Sequence, residues 1–186
     1  MFDIHWQVLE TDQIKGYIFV VTGIEAKYSL MYIQRIFSRS EFFMQKVKEI
    51  TRGVAHAWYC DNFGHMNVRW YSHIFDDGAY HVWPAFWGSH QLMQEKFGVH
   101  TVTASAKTDF IKELLSGDLV IVECVVTRIG SKSVTFVERM VHTDTKEVHA
   151  TYEMTEVFFD PNTRKSAPIP EEIKNALTPL LVSEEE

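Results

Sequence analysis

The sequence is short of cysteine and has no excess of positive charge, and each shortage excludes a class of protein. Its 186 residues include only Cys60 and Cys124, which form no disulfide framework and fit no metal-ligand spacing. The net charge of −7 argues against a nucleic-acid-binding protein, which needs a basic face to neutralise phosphates. We therefore expect a reduced, cytoplasmic protein that binds no nucleic acid.

Long hydrophobic runs are also missing. Residues 17–21 are apolar, but Glu25 and Lys27 follow soon after, so the run falls short of the ~20 residues that a membrane-spanning helix needs. Residues 1–5 lack the basic start of a signal peptide. We expect neither a membrane segment nor secretion.

The composition is that of one packed domain with an extension. Apolar residues make up 46% of the chain and charged residues 23%, both ordinary globular values. Residues 44–173 are predicted to form the folded domain. Residues 1–43 hold no motif and are assigned to an N-terminal extension of unknown role, and residues 174–186 to a C-terminal tail.

One long amphipathic helix is predicted after a first strand at residues 54–60, where larger residues alternate with Ala and Tyr. Apolar residues then recur every four positions, the spacing of one helix face: Met66, Trp70, Ile74, Gly78 and Val82. Glycine costs roughly 1 kcal/mol in a helix relative to Ala, so Gly78 indicates a close approach to a sheet.

Four more strands are predicted, joined by short polar turns that are typical of antiparallel hairpins. They cover approximately residues 100–111, 118–129, 133–142 and 147–159, and short helices are predicted at 89–97 and 171–177. A single amphipathic helix beside such a sheet must bury its apolar face against it, which predicts an α+β two-layer domain.

Asp61 lies where the predicted strand gives way to the long helix. A carboxylate there is close to the helix N-terminus, whose free N–H groups and dipole favour negative charge. An N-cap or turn role is the ordinary interpretation. Gly64 indicates bent residues before the helix, which can expose backbone N–H groups to a ligand carbonyl as an oxyanion hole does. The residues alone leave both roles open.

Residues 61–71 read Asp-Asn-Phe-Gly-His-Met-Asn-Val-Arg-Trp-Tyr. This segment resembles the D-x-x-G-H-v-N-n-x-x-Y signature of the 4-hydroxybenzoyl-CoA thioesterase family of hot-dog proteins. The likeness extends over about residues 47–173, through Phe75-Asp76, Gly117-Asp118, Gly130-Ser131-Lys132-Ser133 and Pro168-Ile169-Pro170. Two positions depart from the family pattern: Val68 stands where a second Asn is common, and Ala79 where an Arg is common.

The resemblance implies a hot-dog fold, in which a long central α-helix packs against an antiparallel β-sheet of about five strands. It implies a homodimer or homotetramer with active sites at the interface between chains. It also implies hydrolysis of an acyl-CoA thioester to free CoA and a carboxylic acid, with no metal and no cofactor.

Carried over from the family, Asp61 is the catalytic nucleophile or general base. Gly64 allows close approach of the backbone, and His65 and Asn67 shape the site. Histidine at a helix start is more often a surface or packing residue, and an Asn at this position more often bonds the nearby backbone. For these two residues the functional and the structural roles both stay open.

Three further residues are assigned to substrate binding. Tyr71 lies on the apolar side of the helix, where it also suits the core, provided that its hydroxyl finds a partner. Lys132 and Ser133 belong to a Gly-Ser-Lys-Ser turn, in which backbone N–H groups can face a CoA phosphate, although a solvated charge is the ordinary role of such a lysine.

Two other features of the sequence bear on metal binding and on the acyl group. His65, His73 and His81 are spaced by eight residues, too far apart to hold one ion, so no metal site is expected. An aromatic cluster that follows the predicted long helix suits core packing or the wall of an acyl pocket, which would favour a compact acyl group over a long chain: Trp83, Phe86 and Trp87, with Tyr80 nearby.

Two other functions on the same fold stay open. The first is a thioester hydratase, whose signature resembles D-x-N-P-x-H; here Asp61 and His65 are four positions apart rather than five, and no Pro intervenes. The second is a non-catalytic protein that binds a thioester or another small ligand, because a fold alone does not settle activity.

Overall fold

The structure is a computed structural model that describes residues 5–11, 14–20 and 46–182. The chain divides into two compact units, residues 1–42 and 43–186. In the first unit, β1 (His5–Thr11) and β2 (Ile14–Val20) pair antiparallel. Most of the extension predicted at residues 1–43 lies outside the described residues.

The second unit is built on one antiparallel sheet. Its strands are β3 (Lys48–Val54), β4 (His100–Phe110), β5 (Leu119–Ile129), β6 (Ser133–His142), β7 (Val148–Asp160) and the short β8 (Lys165–Ser166). They follow the order β3-β5-β6-β7-β4, and β8 pairs with β7. The four later strands therefore form where their alternation predicts them.

The first predicted strand is misplaced. β3 ends at Val54, and residues 57–59 form a 3-10 turn instead of continuing the alternation. The sheet contact stops at Ala55, which exchanges backbone hydrogen bonds with Gly117 and Asp118. Beyond it the ring of Trp58 stacks on that of His56 at 4.3 Å and is mostly exposed. The alternation of residue types at positions 54–60 resembles a strand, but here it accompanies local ring stacking.

The long helix α1 (Val68–Phe86) packs on this sheet. Its buried residues lie on one face: Tyr71, Ile74, Phe75, Gly78, Val82, Trp83 and Phe86. A Cβ atom added at Gly78 would lie 2.9 Å from Ile50 Cδ1 and 3.2 Å from Thr51 Cγ2. β3 therefore crosses α1 at the glycine, as the sequence predicted. A helix packed on an antiparallel sheet of five long strands and the short β8 confirms the hot-dog fold.

Two short helices complete the unit. α2 (His90–Phe97) begins at Ser89, whose Oγ accepts a hydrogen bond from Leu92 N at 3.1 Å, and ends at the left-handed Gly98. α3 (Glu171–Leu177) follows Pro170 and buries Ile173 and Leu177 in the core.

The segment assigned to a C-terminal tail packs on the domain as far as it is described. Leu177 is fully buried, and Val182 N donates to Val126 O of β5 at 2.9 Å. Residues 174–182 are therefore part of the folded unit, because Leu177 belongs to the hydrophobic core. Among the described residues, no helix is both long and apolar enough to cross a membrane.

Candidate functional site

Residues 61–66 form a tight loop between the 3-10 turn and α1. Asp61 N donates to His65 O at 2.9 Å, Gly64 N donates to Asp61 O at 3.0 Å, and Cys60 pairs with Met66 as an isolated antiparallel bridge. Gly64 has φ +82°, a backbone conformation that favours glycine. The bent residues predicted between Asp61 and the helix are present, and Asp61 is not the N-cap.

Asn67 is the N-cap of α1. Its Oδ1 accepts from Arg69 N at 3.2 Å, and its backbone carbonyl accepts from Trp70 N at 2.9 Å. The first helical residue is Val68, whose N–H makes no hydrogen bond within the described part of the chain. Capping thus uses the neighbouring N–H groups and leaves the Val68 donor free for an acceptor from outside the chain.

The carboxylate of Asp61 is exposed at the mouth of this loop. Its Oδ1 accepts from Phe63 N at 2.8 Å, which fixes the side chain over the turn. Its Oδ2 makes no hydrogen bond to any residue that the structure describes. One oxygen is therefore held by the backbone and the other faces solvent, where it can take a proton or attack a carbon.

Tyr71 ties the helix to the segment before β5. Its hydroxyl donates to Lys112 O at 3.3 Å and accepts from Leu114 N at 3.0 Å. Burial raises the pKa of Tyr71, although the Leu114 N–H opposes the shift. Both hydrogen bonds are internal, so the hydroxyl fixes residues 112–114 beside the start of α1. A contact between Tyr71 and the substrate stays a prediction.

Apolar side chains surround the Asp61 loop on the surface. They are exposed, although large and hydrophobic: Trp58, Phe63, Val68, Phe110, Ile111 and Leu115. A cavity of about 250 Å³ lies beside Val68, between Tyr71 and Phe110. A contiguous apolar patch of this kind indicates a surface that a ligand or another chain covers. Periodicity could not reveal it, because residues 110–115 lie at a strand end and in a loop.

Exposed His65 belongs to the same loop, and its backbone pairs with Leu115 as an isolated bridge. The structure therefore brings Asp61, Gly64, His65 and Asn67 together at the start of α1. Tyr71 lies one helical turn further on and faces the core.

Lys132 and Ser133 lie elsewhere in the chain. The Asp61 loop flanks the start of β5, whereas Lys132 and Ser133 follow its end, and β5 has 11 residues. At ~3.3 Å per residue these positions are about 35 Å apart. Lys132 Nζ donates to Ser166 Oγ at 3.2 Å. One chain does not bring these two residues to Asp61, and their contact with CoA stays a prediction.

The aromatic cluster divides between core and surface. Trp83 is buried, and its ring lies 5.4 Å from those of Phe136 and Phe158 in edge-on geometry. Phe86 is buried as well, whereas Tyr80 is mostly exposed. Trp83 and Phe86 are therefore core residues, and Tyr80 borders a separate cavity that Asp76 and Glu156 also line.

Comparison with known proteins identifies the class. The model of the thioesterase-like superfamily matches residues 54–177, which is more than half of the chain. The protein belongs to this superfamily. The narrower 4-hydroxybenzoyl-CoA thioesterase family stays a prediction. A search of curated proteins finds no match.

Solved structures share the fold at low sequence identity. A Staphylococcus aureus protein in complex with CoA has 18% identity and a TM-score of 0.60, covering 69% of this chain and 81% of that one. A 1,4-dihydroxy-2-naphthoyl-CoA thioesterase from Synechocystis has 15% identity and a TM-score of 0.58, covering 68% and 93%. A predicted thioesterase from Bacillus stearothermophilus has 22% identity and a TM-score of 0.59, covering 72% and 96%.

Proposed function

We propose that this protein is an acyl-CoA thioesterase in which Asp61 is the catalytic carboxylate. The observation that carries the proposal is the continuity of two features in the chain. The Asp61 loop holds a carboxylate oxygen that bonds no described residue, and it leads through Asn67 into the start of α1, where Val68 N–H also has no partner among the described residues. The superfamily match supports thioester chemistry in general. The CoA bound to the S. aureus structure and the CoA substrate of the Synechocystis enzyme support CoA as the carrier.

In this mechanism the thioester carbonyl accepts a hydrogen bond from Val68 N–H. The donor and the helix dipole stabilise the negative charge that develops on the carbonyl oxygen, an effect worth about 10²–10³ in rate for one donor. Gly64 suits the loop through its backbone angle of φ +82°, which other residues rarely adopt. The space around it is open, because an added Cβ would meet no atom within 4 Å.

Asp61 can act by two routes. As a general base it takes a proton from water while the water oxygen bonds to the carbonyl carbon; the C–S bond then breaks, and the proton returns to the CoA sulfur. As a nucleophile it forms a mixed anhydride and releases CoA, and water then hydrolyses the anhydride. Both routes give one carboxylic acid and one free thiol.

We expect free CoA to be released from at least one acyl-CoA without added metal. The motivation is the Asp61 motif, which supplies the base or nucleophile without a Lewis acid. A panel of acyl-CoAs with a thiol-detecting reagent measures the release. Activity that disappears with a chelator and returns with zinc would contradict the mechanism. A product that keeps its thioester but gains water across a double bond would instead establish a hydratase.

The proposal includes a dimer formed through β4. Among the described strands, β4 is an edge of the sheet, has 11 residues and exposes most of its side chains. The backbone groups on its outer side pair with no described strand and are a template for a second chain. Full antiparallel overlap of two β4 strands would set Ser105 opposite itself. It would also bring the Phe110 end of one strand, which contacts Tyr71 at a ring distance of 5.3 Å, to the His100 end of the other.

Ser105→Asp is therefore expected to convert the dimer to a monomer at micromolar concentration, because two carboxylates would face each other across the paired strands. Light scattering of the purified proteins measures the change. Ser131→Asp, the same substitution in the exposed turn between β5 and β6, serves as the control and should leave the dimer intact. A wild-type monomer with full activity would refute the shared site.

A further inference from the structure

A second cavity, of about 170 Å³, lies between α1 and the edge strand β4. Its polar and aromatic lining includes Asp76, Tyr80, Trp83, His90, Thr103 and Glu156. No Lys or Arg is among the described residues that line it. The size is close to that of the ~150 Å³ cavity that admits a benzene molecule, so only a compact group fits.

The carboxylate of Glu156 has no positively charged partner in this cavity. Glu156 is 7% exposed, and Thr103 Oγ1 donates to its Oε1 at 2.5 Å. His90 lies nearby, with Nε2 3.2 Å from Thr101 Oγ1. Burial lowers the pKa of His90 below its usual value, although the charge of Glu156 opposes this shift. A buried carboxylate is normally paired with a cation, and here none of the described residues supplies one.

A second carboxyl group, that of Asp76, lines the same cavity as Glu156. Burial raises the pKa of the nearby Tyr152, which pairs with Glu138 across β6 and β7, and the charges of Glu138, Asp76 and Glu156 raise it further. Glu138 is fully buried, and neither of its oxygens has a hydrogen-bond partner among the described residues. Burial raises the pKa of Glu138 to about 8, so this side chain is largely neutral at pH 7. The negative potential at the cavity therefore comes from Asp76 on α1 and Glu156 on β7.

The aromatic residues of the cavity complete the pattern. Trp83 is buried, and its indole N–H has no partner within the described chain, while Tyr80 borders the opening. Aromatic faces combined with carboxylates are the surroundings that attract an ammonium group.

We infer that this cavity binds a compact cationic group, a primary or quaternary ammonium, carried by the acyl part of the substrate. The inference rests on the proposed function for its link to a thioester. It assigns short aminoacyl thioesters as the preferred substrate class over long or anionic acyl chains.

The cavity would serve the active site of the second chain. Asp76 lies eight positions after Val68 on α1, which is about 12 Å at 1.5 Å per residue, and Trp83 lies further still. A compact acyl group held at Val68 cannot span that distance within one chain. Antiparallel pairing of β4 strands would bring Thr101 and Thr103, beside the cavity, toward the Phe110 end of the partner and the helix start next to it.

Three acyl-CoAs of similar length test the inference. β-Alanyl-CoA and butanoyl-CoA have chains of equal length that end in an ammonium and a methyl group, and succinyl-CoA has a slightly longer chain that ends in a carboxylate. A charge-assisted contact predicts that kcat/KM for β-alanyl-CoA exceeds that for butanoyl-CoA by about 10-fold to 100-fold, with succinyl-CoA the poorest. Equal values, or a preference for butanoyl-CoA or succinyl-CoA, would overturn the inference.

Substitutions in the cavity test whether its carboxylates cause the preference for β-alanyl-CoA. Asp76→Asn and Glu156→Gln should each lower the ratio of β-alanyl-CoA to butanoyl-CoA turnover, because each removes a negative charge and keeps the size. Asp77→Asn is the matched control: Asp77 is the exposed neighbour of Asp76, lies outside this cavity and pairs with His73 at 3.7 Å. A ratio that is unchanged in both cavity variants would show that the charge recognition lies elsewhere.

A binding measurement separates failure of the inference from failure of the proposed function. Propylammonium should shift the assigned Trp83 indole N–H resonance of the wild-type protein, and butanoate should not. A shift without any CoA release would refute the thioesterase and support the cationic cavity. Release of CoA without a shift, and without preference for β-alanyl-CoA, would support the thioesterase and refute the cavity.

Discussion

Asp61→Asn is expected to lower kcat for acyl-CoA hydrolysis by at least about 10²-fold, because general-base assistance alone contributes about 10²–10⁴-fold. Loss of a covalent route through the carboxylate would cost more. The thiol-release assay measures the change at saturating substrate. The assignment is falsified if folded, dimeric Asp61→Asn retains more than about a tenth of wild-type kcat.

Stability should change little in this variant, which separates a catalytic role from a structural one. Asn keeps the side-chain oxygen that accepts from Phe63 N, the one side-chain hydrogen bond of Asp61 within the described chain. Asn and Asp also serve about equally well in caps and turns. We therefore expect nearly the same melting temperature and a large loss of turnover.

The chain offers a matched control for this substitution. Asp160 forms the same kind of turn after β7, where its Oδ1 accepts from Asn162 N at 2.8 Å. Asp160→Asn tests what the exchange does to an exposed turn that lies outside the loop of Asp61. It should retain wild-type kcat.

Much of the fold could be predicted because its elements carry strong local signals. Val134, Phe136 and Met140 alternate along β6 and are fully buried, and Pro170 marks the start of α3. Gly78 indicated the crossing of β3 and α1, because a glycine inside an apolar stripe requires a physical reason such as the 2.9 Å approach of Ile50. The strand predicted at residues 54–60 was wrong, because alternation of residue types cannot distinguish a strand from a segment in which His56 stacks on Trp58.

The site was predictable only in part. The loop from Asp61 to Asn67 is contiguous in sequence, so its spacing and the family resemblance located it. The Val68 donor could not be identified, because it is free only through the particular hydrogen bonds that Asn67 makes. The cavity bordered by Asp76, His90 and Glu156 joins three separate segments, and no periodicity reports which of their side chains meet.

The alternation of β6 predicts that Glu138 is buried, but it does not explain why a carboxyl group lies in the core. Alternation in β6 puts it on the same face as Val134, Phe136 and Met140, all of which are fully buried. Burial, and secondarily the charge of Asp76, raises the pKa of Glu138 from 4.5 to about 8. The side chain is therefore largely protonated at neutral pH. Burial raises the pKa of Cys124 well above its usual value, and the charge that Glu138 acquires at higher pH raises it further.

A raised carboxyl pKa has a definite consequence for stability. Between about pH 4.5 and pH 8 the folded chain holds a proton on Glu138 that the unfolded chain has released. The contribution of this group to stability is therefore fully present below about pH 4.5 and is lost as pH rises through about 8. The shift corresponds to on the order of 4–5 kcal/mol.

Glu138→Gln should remove this pH dependence, because Gln resembles the protonated acid in size and cannot ionise. Near pH 5 the variant and the wild type should melt at similar temperatures. At pH 9 the variant should be more stable by several kcal/mol, a difference of about 10 °C in melting temperature for a chain of this length. Glu153→Gln, the same change at an exposed position of β7, should follow the wild-type curve throughout. Parallel melting curves for Glu138→Gln and wild type from pH 5 to pH 9 would show that the buried carboxyl is ionised in the folded protein, and that a counter-charge or water reaches it in solution.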